Sequence, residues 1–232
     1  MNWFARWFGQ QVDLDEANGQ SVAAWQALPN ADLRAPLADT RWVVVDTETT
    51  GLDPRSDTLL SIGACQINGT RLDVAPSYYT LIRPPQVSSA ANVLIHGIGH
   101  AEQMSGADHT SALAGYLEFC RRDVLVAYHA PFDEAMLRIA MRRHLGLRFR
   151  PVWIDVAKLA DVLFPAQGRQ FRMLDQWLAH FGIVHPARHN ALADALCTAE
   201  LLLVLLAAAQ EQGLPSARRL IQAERSHQWL KA

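Results

Sequence analysis

The sequence predicts an α/β fold, a mixed central sheet of about five strands flanked by helices, and three observations predict it. "WVVVDTETTGLDP" (42–54) runs from β-branched residues into a Gly-Leu-Asp-Pro turn, the mark of a central strand. Asn68-Gly69 separates two strand-like runs, "TLLSIGACQI" (58–67) and "SYYTLIRP" (77–84), which is a strong hairpin signal. Beyond residue 110, short apolar runs alternate with stretches of helical spacing.

Taken in order, the elements begin with a strand over 41–47, a second over 58–67 and a third antiparallel to it across the Asn-Gly turn. A polar, small-residue segment through "NVLIHGIGH" leads to a helix over about 111–122 and a strand over 123–128. Pro131 suits the first position of the next helix. A short strand "PVWI" (151–154) and helices over about 155–163 and 171–181 follow. The last helix spans about 190–211, with Asn190 as its N-cap and Leu192, Leu196, Ala199, Leu202, Leu203 and Leu206 as its expected core face.

Residues 13–36 read as mixed and loop-like, so the compact domain is expected over 39–212, with an extension over 1–38 and a tail over 213–232. Trp3, Phe4, Trp7 and Phe8 fall on one face of a short amphipathic helix. That face either packs back on the domain or docks a protein partner or a membrane surface. The N-terminus carries neither a signal-peptide pattern nor a run long enough to span a membrane.

At 232 residues and 50% apolar content, the chain can bury a sizeable core. A net charge of −2 argues against coating nucleic acid by bulk electrostatics, though not against a local basic groove. Cys65, Cys120 and Cys197 are too few and too widely spaced for a disulfide framework or a zinc cluster, and a reducing cytoplasm is the expected setting.

Asp46 and Glu48 are two residues apart on one strand and so project from the same face, where two anions repel unless one is protonated or a cation neutralises both. Asp133 and Asp194 each fall in a first helical turn, where a carboxylate is also favoured by the helix dipole, and His189 lies five residues before Asp194. Singly each has a structural explanation. Together, four carboxylates and a histidine can converge.

Three segments now resemble a known family. "VVVDTETTGLDP", "VAYHAPFDEAML" and "RHNALADALCTAELL" are similar, in order and interval, to the three motifs of the DEDD superfamily of 3′–5′ exonucleases, in its histidine-bearing branch, which includes the proofreading subunit of bacterial replicative polymerase. The resemblance covers roughly residues 41–206 and implies a ribonuclease H-like sheet. It further implies hydrolysis of single-stranded nucleic acid from the 3′ end to nucleoside 5′-monophosphates; DNA is the favoured substrate here, and RNA trimming is the alternative.

By resemblance, Asp46, Glu48, Asp133 and Asp194 hold two divalent ions, Mg²⁺ or Mn²⁺, with Asp46 between them, and His189 takes the proton of the attacking water. Hard cations of this kind favour such an all-oxygen set. Thr47, Thr49, Thr50, Gly51 and Leu52 are the expected substrate contacts in the turn after the first strand, with His96 near the terminal nucleotide and Phe132 lining its pocket. The second motif departs from many relatives in carrying His129 where they have Asn, so His129 is either a substrate contact or a satisfied polar residue at a strand end. Arg138, Arg142, Arg143, Arg148 and Arg150, with Arg169, Arg172 and Arg188, either follow the phosphates of a single strand or form a solvated face.

Other chemistries fare worse. His180, His185 and His189 are spaced like ligands, but the glycine and proline between them interrupt a shared helix. A serine elbow, a Walker loop and a G-x-G-x-x-G turn are missing. The competing function is a binding module on a nuclease fold, which would show no metal-stimulated hydrolysis.

Overall fold

The computed structural model describes residues 12–88, 93–94, 97–185 and 188–231, so the Trp3–Phe8 face and His96 lie outside the described residues. The sheet is five-stranded and mixed, as expected: β1 (Arg41–Thr49), β2 (Leu59–Asn68), β3 (Arg71–Leu81), β4 (Val124–Ala127) and β5 (Trp153–Asp155), in the order β3-β2-β1-β4-β5. β1 pairs antiparallel with β2 and β2 with β3, whereas β4 runs parallel to both β1 and β5. Gly69 closes the β2–β3 hairpin at φ 63°, a conformation open to glycine at little cost. β1 runs two residues past its expected end, and its register with β2 shifts between Glu48 and Thr49.

Helices cover both faces: α1 (Glu16–Ala27), α2 (His100–Ser105), α3 (His109–Cys120), α4 (Pro131–Leu145), α5 (Val156–Leu163), α6 (Pro165–Gly168), α7 (Leu174–Phe181), α8 (Ala191–Glu211) and α9 (Ala217–Lys231). The alternation of β1 divides the core. Val43 and Val45 pack with Leu113 and Leu117 of α3 and Leu137 and Met141 of α4. Trp42 and Val44 pack on the opposite face with Leu202 and Leu205 of α8 and Leu159 of α5.

Residues 13–36 were expected to be loop-like, and the structure corrects this: they hold α1. Its apolar periodicity is weak, and what supports it is a cap and a dock. Asp15 accepts from the backbone N–H of Asn18 at 2.8 Å, while Trp25 is buried against Phe149 with ring centroids 5.5 Å apart and donates its indole N–H to the Arg121 carbonyl. At the other end, Ala217 and Leu220 of α9 are fully buried on the α8 side.

The expected face of α8 also shifts. Ala199, Leu202 and Leu206 are buried, but Leu192, Leu196 and Leu203 are only partly so, and Ala195, Leu201 and Leu205 take their places. The helix lies on β1 and β2 and is covered in turn by α5 and α7, so more than one stripe is enclosed. α8 has the length and apolarity of a membrane span, but half of that window is buried within the fold, as in a core helix.

One glycine sets how α8 meets the sheet. Gly63 is the cross-strand partner of Asp46, and a Cβ built there would lie 2.2 Å from the Ala191 carbonyl carbon and 2.2 Å from the Leu192 nitrogen. The first turn of α8 therefore rests directly on the backbone of β2. Gly63→Ala is expected to destabilise the fold by about 3 kcal/mol, at the upper end of overpacking because the obstruction is backbone, measured by denaturant unfolding. Wild-type stability in that variant would show that α8 can lift without cost.

Candidate active site

The site forms where β1 and β4 run parallel and their C-terminal ends meet the start of α8. Asp46 and Glu48 point to the α8 side of β1, and ligand atoms of Asp46, Glu48 and Asp194 all lie within 4.8 Å of one another. Asp194 is in the first turn of α8, capped by Asn190, whose Oδ1 accepts from the Ala193 N–H at 3.1 Å. In return, the Asn190 N–H donates to Asp194 Oδ2 at 3.0 Å.

Asp133 arrives from the other side. It sits in the first turn of α4, is buried, and its Oδ1 accepts the Thr47 hydroxyl at 2.7 Å. Thr47 points away from Asp46 and Glu48 because adjacent strand residues face opposite ways. Its hydroxyl, expected to meet substrate, is thus engaged with Asp133.

The electrostatics fit a cation. Burial raises Asp46 well above the usual carboxylate range, and Asp133, Asp194 and Glu48 raise it further. Glu48 is pushed from 4.5 to about 8, by burial first and then by Asp194 and Asp133. Burial likewise lifts Asp133 to about 7, against the Thr47 hydrogen bond, and raises Asp194 against the opposing pull of His185. An all-oxygen set this close suits a hard divalent ion, whose charge offsets the repulsion.

These shifts carry a prediction. The folded chain keeps protons on Glu48 that the unfolded chain has released, so stability of the ion-free protein falls as pH rises from about 4.5 through about 8. In chelator, the melting temperature is expected to be lower at about pH 8.5 than at about pH 6, and Mg²⁺ to raise it more at the higher pH. A melting temperature that does not fall over this interval would contradict the repulsive cluster.

His189 stands exposed immediately before α8 at φ 58°, and His129 follows β4 at φ 60°. Non-glycine residues in this region carry backbone strain that the surroundings must hold, a feature that gathers at functional sites. His129 is held by its backbone N–H, which donates to Asp155 Oδ1 at 3.1 Å. The two histidines share a cleft of about 240 Å³ with Tyr128, Arg172, Arg188 and Asp194. A second depression, about 140 Å³, joins His189 to Glu48, Tyr79, Leu81 and Ile98. A larger cleft, about 820 Å³, is elsewhere, between Arg34, Trp153 and Arg218, and none of these carboxylates lines it.

The remaining expected contacts are spread. Thr49 donates to the Gly51 carbonyl at 2.7 Å and Thr50 to Asp57 Oδ1 at 3.0 Å, so both hydroxyls brace the turn, while Leu52 at its tip is 86% exposed. Phe132 is partly buried against the α3–α4 core. Sequence reasoning passed over Gly63, Tyr79, Asp155 and His185. Only His185 had a local signal, its spacing from His189, and that pointed towards zinc.

The comparisons bear on family and fold. The sequence profile of the exonuclease family matches residues 43–202. Among curated relatives, a DNA polymerase III subunit epsilon-like protein of Rhodobacter capsulatus is 34% identical over 197 residues, covering 83% of this chain and 27% of its own length. The PolC-type DNA polymerase III of Thermotoga maritima is 32% identical over 167 residues, 72% of this chain and 12% of that one. The chain thus spans about a quarter or less of these two relatives. Among solved structures, E. coli exonuclease I in complex with a dT13 oligonucleotide superimposes with a TM-score of 0.63 at 16% identity, over 75% of this chain and 42% of that one. Exonuclease X in complex with 5′ overhanging duplex DNA gives 0.61 at 21% identity, over 79% and 99%. With a mixed five-stranded sheet, a carboxylate cluster at its centre and a family profile spanning most of the fold, the chain belongs to the exonuclease family, within the DEDD superfamily.

Proposed function

We propose that this chain is a 3′–5′ exonuclease that hydrolyses single-stranded nucleic acid, DNA in preference to RNA, to nucleoside 5′-monophosphates. The observation that carries the reading is the convergence of Asp46, Glu48 and Asp194 within 4.8 Å beside the exposed His189. Asp46, Glu48, Asp133 and Asp194 would hold two divalent ions, Mg²⁺ or Mn²⁺, which supply Lewis-acid charge at the phosphodiester when bound.

The chain's own groups do the rest. His189 accepts the proton of the attacking water on an imidazole nitrogen, water oxygen bonds to phosphorus, and the bond to the 3′-oxygen breaks, that oxygen taking a proton from solvent. The depression between Glu48, Tyr79, Leu81 and Ile98 offers an aromatic and apolar wall to the terminal nucleoside. The cleft on the other side of His189 presents Arg172 and Arg188 to the preceding phosphates.

The preference for DNA is supported by the oligonucleotide-bound exonuclease I structures, whose fold this chain shares. Three buried, unpaired cysteines are compatible with action in a reducing cytoplasm. The test is incubation of the wild-type protein with 5′-labelled and 3′-labelled single strands of DNA and RNA, in Mg²⁺, Mn²⁺ or chelator. Ion-dependent release of mononucleotides from the 3′ end, faster on DNA, is expected. Release from the 5′ end, or none from either strand, would overturn the reading.

A further inference from the structure

We propose that His185 is a positioning residue that sets Asp194 for the divalent ion, and that Asp175 and Arg188 fix His185 in turn; the inference deepens the exonuclease reading and rests on it. His185 lies in the connection between α7 and α8, with its side chain 11% exposed. Its Nε2 is 2.9 Å from Asp194 Oδ1 and its Nδ1 is 3.7 Å from Asp175 Oδ1 on α7. The Nε2 thus rests against the carboxylate at polar contact distance, off the ideal hydrogen-bond line, and close packing holds it there. Arg188 completes the chain, its guanidinium 2.7 Å from Asp175 Oδ2, and it is the residue next to His189.

Asp194 is therefore restrained at both oxygens, Oδ1 by His185 and Oδ2 by the Asn190 N–H at 3.0 Å. In this rotamer it reaches within 4.8 Å of Asp46 and Glu48. Without the ion, nothing draws that carboxylate towards Asp46 and Glu48, and one backbone hydrogen bond leaves it free to swing. His185 opposes that swing from behind. Groups that orient a metal ligand in this way commonly change ion affinity by about 10–100-fold when removed. The same chain ties α7 to the connection that carries His189, so ion ligand and proton acceptor are placed by one set of contacts.

The test is Mn²⁺ titration by calorimetry on the wild-type chain and on His185→Ala, His185→Gln and Asp175→Asn. His185→Ala is expected to weaken Mn²⁺ binding about 10–100-fold, and His185→Gln, which returns a side-chain N–H, to recover to within about 5-fold of wild type. At saturating Mn²⁺, kcat on single-stranded DNA should approach the wild-type value, placing the defect in ion occupancy. Should His185→Ala fail to fold, Asp175→Asn, at a side chain 38% exposed, carries the test, with an expected loss of about 2–5-fold.

An unshifted Mn²⁺ midpoint in the folded variants overturns the assignment of His185, as does a His185→Gln variant no better than His185→Ala. A wild-type chain that binds no Mn²⁺ overturns it too. If the midpoints shift as expected while the wild type releases nothing from 3′ ends, the exonuclease reading falls and the positioning role stands.

Discussion

Asp46→Asn is expected to abolish ion-dependent release of nucleotides, by about 10³-fold or more, and at the same time to raise the melting temperature of the ion-free protein by about 2–6 °C. The two effects share one cause. Asp46 is paired across the sheet with Gly63 and stands among three other carboxylates, each of which raises its pKa beyond what burial does. Its charge is costly to the fold and useful only when a cation is present. An amide of the same shape relieves the repulsion and removes the proposed central ligand together, a trade of stability against activity typical of such sites. Single-turnover hydrolysis in Mn²⁺ and thermal unfolding in chelator read the two halves separately. Retained hydrolysis would show that Asp46 is not a ligand; a lower melting temperature would show that the cluster is not repulsive in the folded chain.

His189→Ala is expected to lower kcat by about 10²–10⁴-fold while the Mn²⁺ midpoint and the KM for single-stranded DNA stay within about 3-fold of wild type. His189 is exposed and precedes α8, so its side chain contributes little to packing and the variant should melt with the wild type. Its backbone at φ 58° is less open to alanine than to histidine, so any shift in melting temperature should be a small loss. Added imidazole should restore part of the lost rate, since the cavity left behind opens to solvent on both sides of the residue. An unchanged kcat would remove His189 from the proton path; a loss of ion binding would make it a structural support for Asp194 instead.

Much of the site was legible because its signals are local. Alternation along β1 places Asp46 and Glu48 on one face whatever lies opposite, and Asn190 and Pro131 mark helix starts that put Asp194 and Asp133 in first turns. The three motifs are each a strand end or a helix start, so short sequence windows suffice to find them. α1 was missed for the opposite reason: its stability comes from Asp15 and from docking Trp25 onto Phe149, more than a hundred residues away, and apolar spacing alone does not report that.

The sequence by itself determined the order and kind of the strands, the hairpin at Gly69, and which carboxylates and which histidine stand at the ends of elements. Tertiary structure alone decided how they meet. Gly63 lets the backbone of α8 settle on β2 beside Asp46, which brings Asp194 to the cluster. Asp133 comes from the opposite face and is received by Thr47, and His185 is caught between Asp175 and Asp194. The physical reason is range: dihedral preference, side-chain alternation and capping act over a few residues. The close approach of Gly63 to Ala191, or of Thr47 to Asp133, depends on how whole faces of the core fill, and no local window contains both partners.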